Sequence, residues 1–495
     1  MRRRDLLRML ACGSLAVATG CNARRSTNSP EDLLALDAIA QSDLVAAGVV
    51  SKVELVEHAI TRLRSVNAKI NAVTYSDFEG ALARAARAEG MLNGVPYLIK
   101  DLNAYRDMPL TYGSRLFANN IATSQSPYTD RLDAAGLVVL GKTNTPEFGL
   151  LPSTEPALHG ATRNPWNLNH TPGGSSGGAA AAVAARVVPA AQASDGGGSI
   201  RIPAAQCGLF GLKPTRGRFA DQGYRDQPWP ISIKHAVTLS VRDSALILAL
   251  SERTDNSSLL PVGFIQPEDT RKMRIALSLP ALAGAPDEDV AQAVLQCAQT
   301  LEDLGHDIVA VEQTPLQDAA FNEHFLTLWA SAAFRIAEQV AQRTGMPASD
   351  SGLLEPATVS LAQLFARLPA NSLEIALAGL SQYQDTVTGF LAGFDAWLTP
   401  VTASAAPPIG FFSPDVDFNT LSERVSRFTG YTPIHNAAGT PAMSVPAGFS
   451  AHGLPIGVQL AASAGSEAAL LALAYQLEAA SPWIQHLPPV HGTTQ

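Results

Sequence analysis

Charge is scarce in this sequence. Asp, Glu, Lys and Arg make up 16% of 495 residues, well below the quarter common in soluble domains. Lysine is the rarest of the four, with seven copies at 52, 69, 100, 142, 213, 234 and 272. No run of Lys or Arg follows the first few residues, and the formal charge is −9. That excludes binding nucleic acid through phosphate neutralisation. Cysteine is also rare. Four copies with no CxxC pair exclude a disulfide scaffold and a Cys-based zinc cluster. No period of 20–50 residues recurs, which argues against solenoids and propellers. A disordered or fibrous chain is excluded by the 46% hydrophobic content, ample to offset the entropy of ordering.

The N-terminus carries most of the clustered positive charge. Arg2, Arg3, Arg4 and Arg8 precede an apolar stretch of eleven residues from Met9 to Thr19, too short for a bilayer core that needs ~20. A basic segment before a short apolar one is the pattern of a secretory signal, and Arg3-Arg4-Asp5-Leu6-Leu7-Arg8 resembles a twin-arginine signal. Ala18-Thr19-Gly20-Cys21 resembles a lipobox, with Ala18 where Leu is usual, and Ala16-Val17-Ala18 is a competing cleavage site. The plain alternative is a frayed N-terminal helix. The expectation is an exported protein, periplasmic or anchored to the membrane through a lipidated Cys21. Residues 1–20 would be the signal and residues 21–30 a tether. Loss of residues 1–20 removes a net +3 and takes the charge from −9 to −12.

At about 150 residues per domain the length suggests roughly three domains, yet no linker divides the body. The expectation is one domain over 31–495, with its weakest seam near 256–271. Helical periodicity covers 33–67, 287–304 and 467–477, and strand-like runs cover 95–99, 137–140, 274–277, 307–311, 394–398, 442–446 and 456–460. Such alternation predicts an α/β fold, a large sheet covered by helices on both faces.

The segment from His170 to Arg218 is the most informative. Two glycine-flanked serine clusters, Gly173–Gly178 and Gly196–Ser199, bracket an alanine-rich helix. Glycines at 196, 197 and 198 free the backbone to turn N–H groups toward one point. Converging N–H groups beside a serine hydroxyl make an oxyanion hole, worth ~10²–10³ in rate per donor. Gly174-x-Ser176-x-Gly178 also fits the nucleophile elbow of α/β-hydrolases, which would need a downstream histidine such as His435, His452, His486 or His491. A phosphate loop lacks its GxxxxGK[ST] pattern. A structural turn, or a serine nucleophile whose base is not histidine, completes the set of readings.

Lys100 closes the apolar run Val95–Ile99. An ammonium there is costly, and burial lowers a lysine pKa by up to several units. A neutral amine can act as a general base. Pairing with Asp101 at the strand end is the alternative.

These residues together resemble the amidase signature family. The core of the resemblance is Gly173-Gly-Ser-Ser-Gly-Gly178, Asp195-Gly-Gly-Gly-Ser-Ile-Arg201-Ile-Pro203 and Gly208-Leu-Phe-Gly-Leu-Lys-Pro214. Supporting matches are Gly94-Val-Pro-Tyr-Leu-Ile-Lys-Asp101, Gly141-Lys-Thr-Asn144 with Glu147-Phe148, and Gly439-Thr-Pro-Ala442 with Gly453-Leu-Pro-Ile-Gly457. It spans nearly the whole chain from Leu44 to Trp483. The fold it implies is a large central mixed β-sheet with helices on both faces.

The resemblance implies a catalytic set of Ser199 as nucleophile, Ser175 as relay on a cis peptide bond, and Lys100 as base. It places an oxyanion hole at the N–H groups of Gly196, Gly197, Gly198 and Ser199. Asp195, Arg201 and Ser176 become supporting residues, and Cys207 a packing residue. No cofactor and no metal are implied. The wording SDGGGSIRIPA is similar to the branch that includes 6-aminohexanoate-cyclic-dimer hydrolases; secreted peptide amidases are the other option. The partner expected is a small-molecule amide, with a homodimer left open. Acyl-pocket walls are expected from 111–116, from 315–335 (Phe321, Phe325, Trp329) and from 428–435. The reading from a different class is a catalytically silent, membrane-tethered binding protein.

Overall fold

The computed structural model describes residues 32–219, 229–254, 258–267 and 270–492. The expected export signal, Cys21 and the tether lie outside these residues. Among the described residues, no helix is long and apolar enough to cross a membrane.

Two sheets organise the chain. The smaller consists of β1 (Val73–Ser76), β2 (Pro96–Lys100) and β3 (Val138–Thr143), in the order β1-β3-β2. The larger holds β4 (Ala190–Asp195), β5 (Phe210–Lys213), β6 (Ile233–Thr238), β7 (Arg274–Leu277), β8 (Asp307–Ala310), β9 (Ala396–Pro400), β10 (Ala442–Phe449) and β11 (Pro455–Ala461). Its order is β4-β6-β5-β10-β11-β9-β7-β8. It is mixed: β7 runs parallel to β8 and β9, while the other pairs are antiparallel. The central strands β9 and β11 are buried at every position, as a sheet covered on both faces requires.

All seven strand-like runs fold as strands, with 274–277 keeping its bounds and the other six shifted at one or both ends. The periodicity over 33–67 breaks at 47–51, where Ser51 starts a new helix, Lys52–Ile70, through a capping box with Glu54. β3 continues through Gly141, Lys142 and Thr143, where a stop was expected. A side chain is impossible at Gly141, because a Cβ would overlap the Tyr75 carbonyl of β1. The alanine-rich helix Gly177–Ala184 is buried all round. A Cβ on Gly178 would lie 2.5 Å from Asn144 N, so only glycine lets this helix lie against the end of β3. Three helices of the 319–391 region, Ala319–Thr344, Pro356–Ala366 and Ser372–Leu391, form a layer that the strand-and-helix pattern did not anticipate.

Candidate active site

Lys100 ends β2 and is wholly buried. Its Nζ lies within hydrogen-bond distance of three hydroxyls, Ser175 Oγ at 2.7 Å, Ser176 Oγ at 2.8 Å and Ser194 Oγ at 3.1 Å. Desolvation pushes its pKa down to about 7, against the opposing pull of the Asp195 charge. The peptide bond between Gly174 and Ser175 is cis. Ser176 Oγ donates in turn to the Ser194 carbonyl at 3.2 Å. Pairing with Asp101 does not occur at Lys100. Asp101 instead faces Lys142 at 3.7 Å and accepts from Thr111.

The second glycine cluster turns directly after β4. Asp195, the last residue of that strand, receives both Nε and Nη2 of Arg201 at 2.9 Å. Burial pushes the Asp195 carboxyl up, but the Arg201 charge and hydrogen bonds outweigh it and hold it below the usual carboxylate range. Arg201 also donates to Gln459 Oε1 at 2.7 Å, Asn436 Oδ1 at 2.7 Å and the Thr432 carbonyl at 3.0 Å. Thr432 Oγ1 donates to the Gly197 carbonyl at 2.7 Å. Every polar atom of this loop's support is thereby paired, which fixes one loop shape in a low-dielectric interior.

One of the expected oxyanion donors is spent. Gly198 N–H donates to Asp195 Oδ1 at 2.7 Å, so it is committed to shaping the loop. The N–H groups of Gly196, Gly197 and Ser199 make no hydrogen bond to described residues. A Cβ on Gly198 would collide with Thr432 Oγ1, and its φ is +130°.

A cavity of about 280 Å³ opens on this loop. Of Ser175, Ser176 and Ser199, Ser199 alone lines it. Phe321, Phe325 and Trp329 form one wall, spaced four residues apart on the helix Ala319–Thr344. Trp329 and Phe325 lie 3.5 and 3.6 Å from where side chains on Gly196 and Gly197 would begin. Thr429, Gly430 and Pro433 contribute from the 428–435 segment. Residues 111–116, also expected as walls, do not line this cavity. They pack instead around Asp101 and Glu147, through Thr111 and Ser114.

The histidine-based elbow does not form. His435 is buried and pairs with Thr440 Oγ1 at 3.0 Å, while His491 contacts the Pro488 carbonyl. Neither these nor His452 and His486 hydrogen-bond to Ser175, Ser176 or Ser199. Cys207 is buried with its thiol pushed up by desolvation, and its Sγ lies 3.5 Å from the Pro172 carbonyl. Among the described residues, no group of three or more His, Cys, Asp or Glu side chains is placed to hold a metal ion. Sequence reasoning missed Ser194, although its place one residue before Asp195 on a strand ending in the signature was a usable signal. Thr432, Asn436 and Gln459 carried no local signal.

The family model for amidases matches residues 54–471. This chain belongs to the amidase signature family. Amidase signature relatives match it almost end to end. A putative amidase AmiC of Mycobacterium tuberculosis (strain ATCC 25618 / H37Rv) is 38% identical, over 92% of this chain and 97% of its own length. A 6-aminohexanoate-cyclic-dimer hydrolase of Pseudomonas sp. (strain NK87) is 34% identical, over 91% and 96%. The solved structure of a 6-aminohexanoate cyclic dimer hydrolase with substrate superposes with a TM-score of 0.86 at 33% identity, covering 92% of this chain and 99% of that one. The protein is therefore an amidase signature amide hydrolase.

Proposed function

We propose that the protein cleaves a small carboxylic amide through an acyl-enzyme on Ser199, with Ser175 relaying a proton to Lys100. The observation that carries this reading is the buried contact of 2.7 Å between Lys100 Nζ and Ser175 Oγ, beside a loop that turns Ser199 into the cavity. A neutral amine has two N–H groups and one lone pair. Three hydroxyls surround it, so Ser176 and Ser194 take the N–H groups and the lone pair is left for the Ser175 O–H.

Ser199 Oγ attacks the amide carbon as its proton passes to Ser175 Oγ and the Ser175 proton passes to Lys100. The tetrahedral oxyanion rests on N–H groups of the 196–199 loop, with Gly196, Gly197 and Ser199 available. The proton returns by the same relay to the leaving nitrogen, the C–N bond breaks, and the acyl group stays on Ser199. Water, losing a proton through Ser175 to Lys100, then attacks the ester carbon; the bond to Ser199 Oγ breaks, the relay returns the proton to that oxygen, and the acid leaves.

The apolar cavity wall supports an acyl group with few polar atoms, of the kind a cyclic or linear aminohexanoate amide carries. A peptide C-terminal amide is the second substrate class. We place the reaction outside the cytoplasm, because of the basic and apolar N-terminal residues 1–20, with Cys21 as the lipidation point; cell fractionation and the mass of the mature N-terminus test this. The catalytic reading is tested by a fluorophosphonate probe with peptide mapping. The label is expected on Ser199 and absent in Ser199→Ala. Label retained in that variant, or mapped to Ser176, overturns it.

A further inference from the structure

We propose that the cavity sorts substrates by charge: Glu323 at its mouth favours an acyl chain ending in a cation over one ending in a carboxylate. This rests on the reading of Ser199 as the acylated residue. The cavity is lined by 23 residues, among which Glu323 is the one ionisable side chain, and no Lys, Arg or His is present. Glu323 is exposed, and its carboxylate has no hydrogen-bond or ion-pair partner among the described residues. The backbone carbonyl, in contrast, accepts from Thr327 Oγ1.

Position supports the assignment. Glu323 precedes Trp329 by six residues on the same helix, roughly 9 Å along the axis. Trp329 lies against Gly196, and Leu326 and Glu323 follow it at three-residue steps along the cavity-lining side of the helix, so Glu323 stands away from the reacting loop. A five- or six-carbon acyl chain attached to Ser199 would run along Trp329 and Leu326, which share the i, i+3 row of this helix with Glu323, and bring its end to this carboxylate. Nearby cations are engaged elsewhere. On the helix Phe418–Phe428, which forms the opposite wall, Arg424 lies over the Phe411 ring and donates to its carbonyl at 2.8 Å, and Arg427 faces Asp287 at 3.7 Å. An anionic chain end would thus meet a like charge and no counter-ion, while an ammonium would meet a carboxylate free to pair with it.

The test compares the p-nitroanilides of hexanoic acid, 6-aminohexanoic acid and adipic acid (as the mono-anilide) at pH 8. They share a leaving group and a chain length and differ in terminal charge. Wild type is expected to favour the 6-aminohexanoyl over the adipoyl substrate by about three- to tenfold in kcat/KM, with the hexanoyl compound as the internal reference. Glu323→Gln should collapse that ratio, Glu323→Lys should invert it, and 1 M salt should shrink the wild-type ratio. Calorimetric binding of 6-aminohexanamide and adipamate to Ser199→Ala protein reads the same preference without turnover. Equal or better handling of the anion by wild type, or a ratio unmoved by both Glu323 variants, overturns the charge assignment. Failure of all three anilides with the binding preference intact would overturn the catalytic reading and leave the charge assignment standing.

Discussion

The backbone N–H of Lys100 donates to the side-chain carbonyl of Gln192 at 3.1 Å, and both residues are fully buried. Lys100 belongs to the three-stranded sheet and Gln192 to β4 of the eight-stranded one, so this bond joins the sheet that carries the amine to the strand that ends in the serine loop. Gln192 Nε2 is held in turn by the Ala193 carbonyl at 2.8 Å, which leaves the amide a single orientation.

Gln192→Ala should therefore separate positioning from binding. It strands a buried N–H at a cost of about 1–3 kcal/mol and loosens the placement of Lys100 against the loop. Misplacing a catalytic group by about 1 Å costs on the order of 10²-fold. The expected outcome is a fall of about ten- to a hundredfold in kcat with KM little changed, and a lower Tm. Steady-state kinetics and thermal unfolding check both; a change confined to KM would show that Gln192 acts on the cavity instead.

Lys100 sets the pH dependence. As a base it works only when neutral, and burial brings its pKa down to about 7. Activity should thus be lost as pH falls through about 7 and level off above it. Lys100→Ala should lower kcat/KM by about 10²–10⁴-fold, the span of general acid–base catalysis, and flatten that limb. A pH–rate profile of kcat/KM on wild type and variant provides the measurement.

Both halves of the site were legible because each left a local anomaly: Lys100 as a rare charge ending an apolar run, and the two serine clusters as glycine runs beside an alanine helix. The supports of the 196–199 loop were not legible. Asn436 and Gln459 reach Arg201 across more than 230 residues of sequence, and nothing near either residue signals a partner. The helices of 319–391 escaped for another reason. They bury apolar residues against the cavity and each other, without strands between them to punctuate the pattern. Gly198 shows a third limit. Its backbone freedom was readable, but the direction of its N–H depends on where Asp195 sits in the folded strand.

Asp195 has two duties that one substitution can distinguish. Its carboxylate accepts from Gly198 N–H and pairs with Arg201, and its negative charge raises the pKa of Lys100. Asp195→Asn removes the charge. Lys100 then loses an anion that favours its protonated form, so its pKa drops further and the rising limb of the profile moves to lower pH. Breaking a buried pair also costs about 3–5 kcal/mol, so kcat and Tm should both fall. The displaced limb is the diagnostic reading, measured on whatever activity remains, because a purely structural role would leave its midpoint near 7.

Gly149 tests how tightly the relay serine is enclosed. Its φ is +71°, and a Cβ there would sit 3.0 Å from Ser175 Oγ and 2.8 Å from Leu102 Cδ1. Gly149→Ala adds a methyl group where L-residues pay roughly 1–2 kcal/mol for the left-handed backbone, and it pushes on the hydroxyl that bonds Lys100. The Leu102 methyl can swing aside, but Ser175 is held at its Oγ by Lys100. Crowding should therefore be relieved at the expense of the relay, with kcat reduced about ten- to a hundredfold. Ser199 lies on a separate loop, so fluorophosphonate labelling should slow, because the base is displaced, yet still map to Ser199. A variant with normal kcat would mean that Ser175 moves freely at no cost to turnover, which a proton relay fixed by the Lys100 contact does not allow.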